Sequence, residues 1–452
     1  MNINTTKIKT MKRRKFISNV VKASTASIVM PYILPTGRLF AATGSQMADH
    51  VVFVLFAGGL RQQETVLQRY LDDSQGVNFP GNIMYNLFDG APPTDKIVYG
   101  SDGAVPGLGD VPIPKILNQT FQQQGTIFKE MRSATSGHYG GVNGLLQGNT
   151  LSSQGLKVKP LNPTIFEYLR KHLNLQATDT WLVGSSIGNS QPLLNYSLNG
   201  EYGVQYGANF IAPNTIFGNE GVKHLSNAKV YDQEDELEPM YRTKEFLDNV
   251  WGTVGSGLIT IENTEQEKKE IKDFLKYIYE NGTNEMPPVS DGGDASTIGY
   301  ALEVIKWFKP KLTVVNMSTG VDVCHSNFTS YLRALHRADH SLAHLWNRIQ
   351  SIPGMDNTIM IAIPECGRNL QPNAIHDFND FYAFDHSDSN ARRIFGMMVG
   401  PGVPSNYTVG NENNPIGNAT DGVLTIAEIF GIKDQIPTQY LAANSMSMFD
   451  NL

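Results

Sequence analysis

The sequence predicts an α/β protein, a three-layer α/β/α sandwich with a mostly parallel central sheet and a helical insertion. Short continuous apolar runs, His50 to Phe56, Lys311 to Met317, Thr358 to Ile363 and Ile394 to Val399, have the length and β-branched content of buried parallel strands. Amphipathic stretches such as Phe328 to Ile349 and Asp421 to Phe430 alternate with them, as helices do in a wound sheet. With 452 residues, 40% hydrophobic and 17% charged, the chain can bury one large core or two smaller ones and is not disordered.

The first 42 residues stand apart. Lys12-Arg13-Arg14-Lys15 precedes a moderately apolar run from Ala23 to Leu34, and Leu39-Phe40-Ala41 closes it with small residues. This is the pattern of a twin-arginine export signal, which predicts a periplasmic or secreted mature chain over residues 43 to 452. Lys22 and Pro31 interrupt a run already too short to span a bilayer comfortably. Cleavage would leave 28 basic against 43 acidic side chains, a net charge of −15. So acidic a chain argues against nucleic acid as a partner. No later run approaches the length of a membrane span.

In chain order, the first strand, His50 to Phe56, runs into Ala57-Gly58-Gly59-Leu60-Arg61-Gln62-Gln63-Glu64-Thr65, a glycine turn offering Arg61 and Glu64. Residues 72 to 120 read as loops with a short helix near Ile113 to Thr120. A strand at Thr126 to Met131 leads into Ser133, Thr135, Ser136 and His138 at a strand-to-helix junction. There, helix N–H groups favour an anion and a hydroxyl serves as cap or nucleophile. Ile165 to Leu173 reads as a helix and Thr180 to Gly184 as a strand. The tyrosine-bearing stretch Asn195 to Asn209 reads as a loop, either lining a cleft or decorating the surface. The acidic, helical composition from residue 232 to 307 is the expected insertion.

After Lys311 to Met317 come Asp322, Cys324 and His325, and after Thr358 to Ile363 come Glu365, Cys366 and Arg368. Asp385-His386 precedes Ile394 to Val399. Ligands bind open α/β sheets at the carboxyl ends of the strands, so these residues sit where a site is expected. Asp and His are ligands of the kind that zinc and similar ions take. Cys324 and Cys366 are the only cysteines and fit a bridge, two buried thiols or metal ligation equally well. On the helix from Phe328 to Ile349, His336, His340 and His344 share a face with Asp339 among them, and the expected role is packing rather than metal binding.

Taken in order, the Gly58-Gly59 turn, Arg132-Ser133 with His138 and Leu145-Leu146-x-Gly148, Asp322 with His325-Ser326-Asn327, Glu365-x-Gly367-Arg368, Asp385-His386 before Gly400-Pro401-Gly402, and Thr420-Asp421-Gly422-Val423-Leu424-Thr425-Ile426-Ala427-Glu428-Ile429-Phe430-Gly431-Ile432 resemble the alkaline phosphatase/sulfatase superfamily, specifically its twin-arginine-exported bacterial branch. The resemblance is spread over roughly residues 50 to 435. It implies an α/β/α sandwich with a metal cluster at the strand ends. It also implies metal ligation by Asp322, His325 and His386 at one position and by Glu365 at another, with Glu64, where that branch has an acidic residue after its Gly-Gly turn, as a further metal candidate. His138 falls where relatives keep a nucleophile and serves as second ligand or base; Arg61, Arg132 or Arg368 would clamp the anion. The implied ion is divalent, zinc first, with calcium or manganese as alternatives. The chain departs from the family's pattern in having Glu365-Cys366 for Asp-His and Ala57 for the aspartate that ends the first strand.

Two functions are therefore expected in competition. One is an exported metal-dependent hydrolase of phosphate or sulfate esters, acting on an anionic ester or small molecule. The other is a non-catalytic binding or assembly protein of the same fold with a degenerate or structural metal site. Substrate, metal identity and oligomeric state are not legible in the sequence.

Overall fold

Eight strands carry the architecture of the computed structural model, which describes residues 46–70, 79–93, 112–149, 159–184, 194–213, 263–289, 293–317 and 320–452. The proposed export segment lies outside these residues, as do 232–262 of the expected insertion. The strands are β1 (His50–Phe56), β2 (Thr126–Arg132), β3 (Thr180–Gly184), β4 (Asn209–Ile211), β5 (Leu312–Met317), β6 (Thr358–Pro364), β7 (Arg393–Val399) and β8 (Tyr407–Val409). They form one sheet in the order β8-β2-β7-β6-β1-β5-β3-β4. β1 sits in the interior, parallel to β5 on one side and β6 on the other, and all seven of its residues are buried. Each large apolar side chain so buried contributes roughly 1.5–3 kcal/mol.

One strand runs against the rest. The expectation of a parallel strand over Ile394 to Val399 is corrected, because β7 pairs antiparallel with both β6 and β2. A reversed strand presents its N-terminal end at the edge where its neighbours present their C-terminal ends. Residues that precede β7, among them Asp385 and His386, are thereby brought to the same edge as residues that follow β1, β2, β5 and β6. A register shift between Phe128 and Met131 interrupts the β2–β7 ladder close to that edge.

Seven α-helices lie among the described residues: α1 (Phe121–Gln124), α2 (His138–Gln147), α3 (Ile165–His172), α4 (Glu265–Asn281), α5 (Gly293–Phe308), α6 (Phe328–Ile349) and α7 (Asp421–Ile429). Side chains alternate along β1, so Phe53 and Phe56 face opposite sides of the sheet. Gly422 of α7 lies over Phe53 and Ile363, and α7 packs with α2 and α3 on that side. Phe56 and Phe88 both meet Phe395 on the other side, where Asp339 of α6 ties the 86–87 segment through three hydrogen bonds of 2.8–2.9 Å. These two faces and the sheet between them make the three layers.

The helix expected near Ile113 to Thr120 is not formed; the helix is α1, which begins after Thr120, its cap. Backbone N–H groups of residues 113, 116 and 117 are instead taken by His336 Nε2 and Asn86 Oδ1, at 2.9 to 3.2 Å. Of the expected insertion, α4 and α5 are described; α5 packs on β5 and β3 and along α6. Of the tyrosines in the stretch from Asn195, Tyr196 and Tyr202 are buried, Tyr202 edge-on to Tyr168 of α3, and Tyr206 is half-buried.

Candidate metal centre

Three histidines meet at the sheet edge. His138 opens α2, His325 ends the 3-10 turn Val321–His325 that follows β5, and His386 lies in the segment before β7. One ring nitrogen of each lies within 4.8 Å of the others. His325 donates Nδ1–H to Asp385 Oδ1 at 2.8 Å, and His386 donates Nδ1–H to the Ser136 carbonyl at 2.8 Å. Each ring is thereby fixed in orientation with its Nε2 lone pair directed elsewhere. A carboxylate or carbonyl behind the imidazole is the support that metal-ligating histidines use. His138 Nε2 lies 3.3 Å from His325 Nε2, and Asp322 Oδ1 lies 3.1 and 3.4 Å from those two nitrogens.

His138 is held from behind as well. Its Nδ1 meets Glu365 Oε1 at 2.6 Å, and the Cys366 thiol approaches the same nitrogen at 3.7 Å. Glu365 is fully buried; its Oε1 also accepts the Gly58 N–H at 2.5 Å, whereas its Oε2 has no hydrogen-bond partner. A half-satisfied buried carboxylate is costly without a cation beside it. His138, Glu365 and Cys366 form a second set of donors, so the imidazole of His138 is shared between two sets, one at each ring nitrogen.

The charges follow from these contacts. Burial disfavours the His138 imidazolium, but hydrogen bonds with Asp322, Cys366 and Glu365 outweigh burial and raise its pKa to about 12. Asp322 is held well below the usual carboxylate range by its hydrogen bonds with His138 and His325. His386 is lowered to about 4, by burial first and then by the positive charges of His138 and Arg368. The groups fit a divalent cation: imidazole nitrogens with free lone pairs, an ionised Asp322 among them, and an orphaned carboxylate oxygen behind.

The Gly58-Gly59 turn explains the crowding. Both glycines have positive φ, 111° and 75°. A Cβ on Gly58 would stand 2.7 Å from the backbone N of Asp322, and one on Gly59 would stand 2.8 Å from Arg368 Nε. These glycines admit the chain's own Asp322 turn and Arg368.

Of the expected site residues, the structure brings together His138, Asp322, His325, Glu365 and His386. Arg368 adjoins them, fully buried, with Nη2 3.3 Å from Asp322 Oδ1 and further bonds to the carbonyls of Gly58, Gly59 and Phe384. Such an arginine braces the site from below and is not placed to grip a substrate. Glu64 and Arg61 are not brought to the cluster. They pair with each other at 2.6 to 3.0 Å, both wholly buried, with the Arg61 guanidinium 4.0 Å above the Phe384 ring. That Glu64 carboxylate is spent on Arg61, which removes the reason to place it among metal ligands and Arg61 among anion clamps. Sequence reasoning missed Asp385 as the partner of His325, since 60 residues separate them. Its only signal was adjacency to His386.

The cysteines are both free and buried, so neither bridge nor redox pair is formed. Burial pushes the Cys324 thiol up to about 12 and raises that of Cys366 as well. The α6 histidines pack as expected: His336 and His344 bond to the carbonyls of Ile83 and Glu285 at 3.0 Å, and burial lowers all three.

No family model and no curated relative matches the sequence. Among solved structures, the chain is similar to an alkaline phosphatase superfamily protein from Vibrio parahaemolyticus, with 12% identity over 95% of this chain and 79% of that one and a TM-score of 0.40. It is also similar to PsFucS1 sulfatase from Pseudoalteromonas sp., with 11% identity, coverage of 88% and 73%, and a TM-score of 0.41. A third is the alkaline phosphatase of the Antarctic bacterium TAB5, with 12% identity, coverage of 85% and 98%, and a TM-score of 0.40. Likeness at scores this low carries no argument about chemistry, which rests on the side chains described above.

Proposed function

We propose that this chain is an exported, metal-dependent hydrolase of esters that carry a phosphate or sulfate group. The observation that carries the reading is the set of imidazoles, two of them locked through Nδ1, turned with ionised Asp322 toward one point at the open edge of the sheet. His325, His386 and Asp322 would hold a divalent ion, and zinc bound there would supply Lewis acidity and a water of lowered pKa. The His138 imidazolium is favoured chiefly by its hydrogen bond with Asp322, then by Cys366 and Glu365, and its Nε2 would hydrogen-bond the leaving-group oxygen once Asp322 is taken by the ion. The first turn of α2 has no side-chain cap and Gly137 has open space at its Cβ position, which leaves helix N–H groups for an anion.

Two nucleophiles fit: a water at the proposed ion, and the hydroxyl of Ser136, whose carbonyl orients His386. Ser133 Oγ is spent on the Glu365 and Thr135 carbonyls, Thr135 Oγ1 on Gly137, and the Cys366 thiol is buried. Export rests on the Lys12-Arg13-Arg14-Lys15 segment. The test is metal analysis of the purified chain together with turnover of aryl phosphate and aryl sulfate, with zinc, manganese and calcium supplied in turn. Turnover by wild type, lost in His325→Ala, is the expected result. Metal-free protein with no turnover under any condition overturns it.

One observation favours the alternative of a structural metal site in a non-catalytic protein: His138 Nε2 is close enough to the other donors to close a four-ligand shell. Closed shells are the mark of structural zinc. The visible spectrum of the cobalt-substituted protein separates the two, because an open site responds to added phosphate and a closed one does not.

A further inference from the structure

The proposed chemistry needs a cation to hold the anionic ester, and the arginines singled out by the sequence are committed elsewhere. Arg61 pairs with Glu64, Arg132 bonds Glu130 at 3.0 Å, and Arg368 is buried among backbone carbonyls. Arg393 bonds both Glu130 and Glu412. Arg392 differs from all of these. It is exposed and meets no carboxylate among the described residues, and its guanidinium is fixed by two carbonyls: Nε donates to Ser133 O at 3.2 Å and Nη2 to Ala134 O at 3.3 Å.

Those carbonyls belong to the loop that joins β2 to α2. Two residues further, the Ser136 carbonyl orients His386, and His138 follows. Arg392 also precedes the reversed strand β7, so it stands at the edge where β2 and β6 end; its carbonyl accepts the Ser133 N–H at 2.8 Å, and the neighbouring Ala391 carbonyl accepts the Gly367 N–H at 2.7 Å. Asp322 and Asp385 are about half exposed at the same rim and repel an anion. A guanidinium held in place with Nη1 still to give is the group that offsets them.

We propose that Arg392 binds the anionic phosphate or sulfate group of the substrate, an inference that rests on the hydrolase reading. The orienting carbonyls reduce the entropy lost when the side chain grips an oxyanion.

The experiment measures inorganic phosphate and sulfate binding to the full, metal-loaded chain by calorimetry, across a range of salt, for wild type, Arg392→Ala, Arg392→Lys and the neighbouring control Arg132→Ala. Arg392→Ala is expected to weaken oxyanion binding about 10-fold or more and to flatten its salt dependence. Arg392→Lys should recover part of the affinity and Arg132→Ala should change little. In turnover, the loss should fall on KM more than on kcat. The proposal is overturned if Arg392→Ala binds phosphate like wild type, or if its loss of affinity is accompanied by an equal loss of metal content and melting temperature, the outcome for an arginine that only clamps the 133–134 loop. Neither result touches the hydrolase reading. Wild type that binds neither anion and turns over no ester removes both.

Discussion

Arg61 with Glu64 and the histidine group around Asp322 stand at the same sheet edge and satisfy their charges in opposite ways. Arg61 and Glu64 are three residues apart after one strand, both at zero exposure, and each is the other's counterion. The second group draws its members from the ends of β2, β5 and β6 and from the segment before β7. Its His138, His325 and Asp322 side chains are 30%, 35% and 54% exposed, and its buried Glu365 keeps one oxygen unpartnered. A closed pair holds the fold together; an open group with lone pairs and a surplus of carboxylate is available for a ligand. The difference lies in what each group contains: a guanidinium answers a carboxylate charge for charge and has no lone pair to give, whereas imidazoles keep one for a ligand.

The comparison is broken most sharply at the closed pair. Replacing Glu64 by Gln should leave Arg61 buried and uncompensated and cost about 3–5 kcal/mol in denaturant unfolding, with metal content per folded molecule unchanged. The double change Arg61→Met with Glu64→Leu should recover most of that loss. If Glu64→Gln removed metal without loss of stability, the two groups would have been divided wrongly.

At the open group the expected effect is smaller and falls on the ligand. Asp385→Asn should weaken metal affinity by about 10- to 100-fold through the loosened His325 ring, while the unfolding midpoint of the metal-free chain barely moves. A competition titration against a chromophoric chelator measures it. Cys366→Ser should leave the tightest metal equivalent in place, because the thiol lies at Nδ1 of His138 and the proposed ligands at Nε2. Loss of that equivalent would move the ion to the Glu365–Cys366 side.

A third ion group offers the mildest contrast. Glu285 bonds Arg348 at 2.7 and 3.0 Å and Lys306 at 2.9 Å, and the Arg348 bonds chiefly lower its pKa to about 2. Its folded pKa is below its unfolded value, so it stabilises fully above about pH 4.5 and loses that contribution as pH falls toward about 2. Both partners are more than a third exposed, which keeps the effect modest. Melting temperatures of wild type and Glu285→Gln should converge over that interval.

Much of the fold was legible because continuous apolar runs can be buried in few ways. Phe328 to Ile349 was readable as a helix from its amphipathic spacing, and the structure adds Asn327 as its cap. The helix expected at Ile113 to Thr120 failed because its N–H groups are claimed by His336 and Asn86, residues far off in the chain. Strand direction at β7 was equally hidden, since the apolar run of six residues from Ile394 to Val399 reads the same in a parallel or antiparallel place.

The site divides along the same line. By itself the sequence determined which polar groups stand beside strand ends, because Asp322, His325, Glu365 and His386 border apolar runs that must be buried. Only the tertiary structure decided which of them meet. The reversal of β7 carries Asp385, His386 and Arg392 to the edge where the parallel strands end, and the Gly58-Gly59 turn admits Asp322 and Arg368 beside it. Glu64 was settled the same way: a buried charge takes the nearest counterion, and Arg61 is three residues away in the same turn.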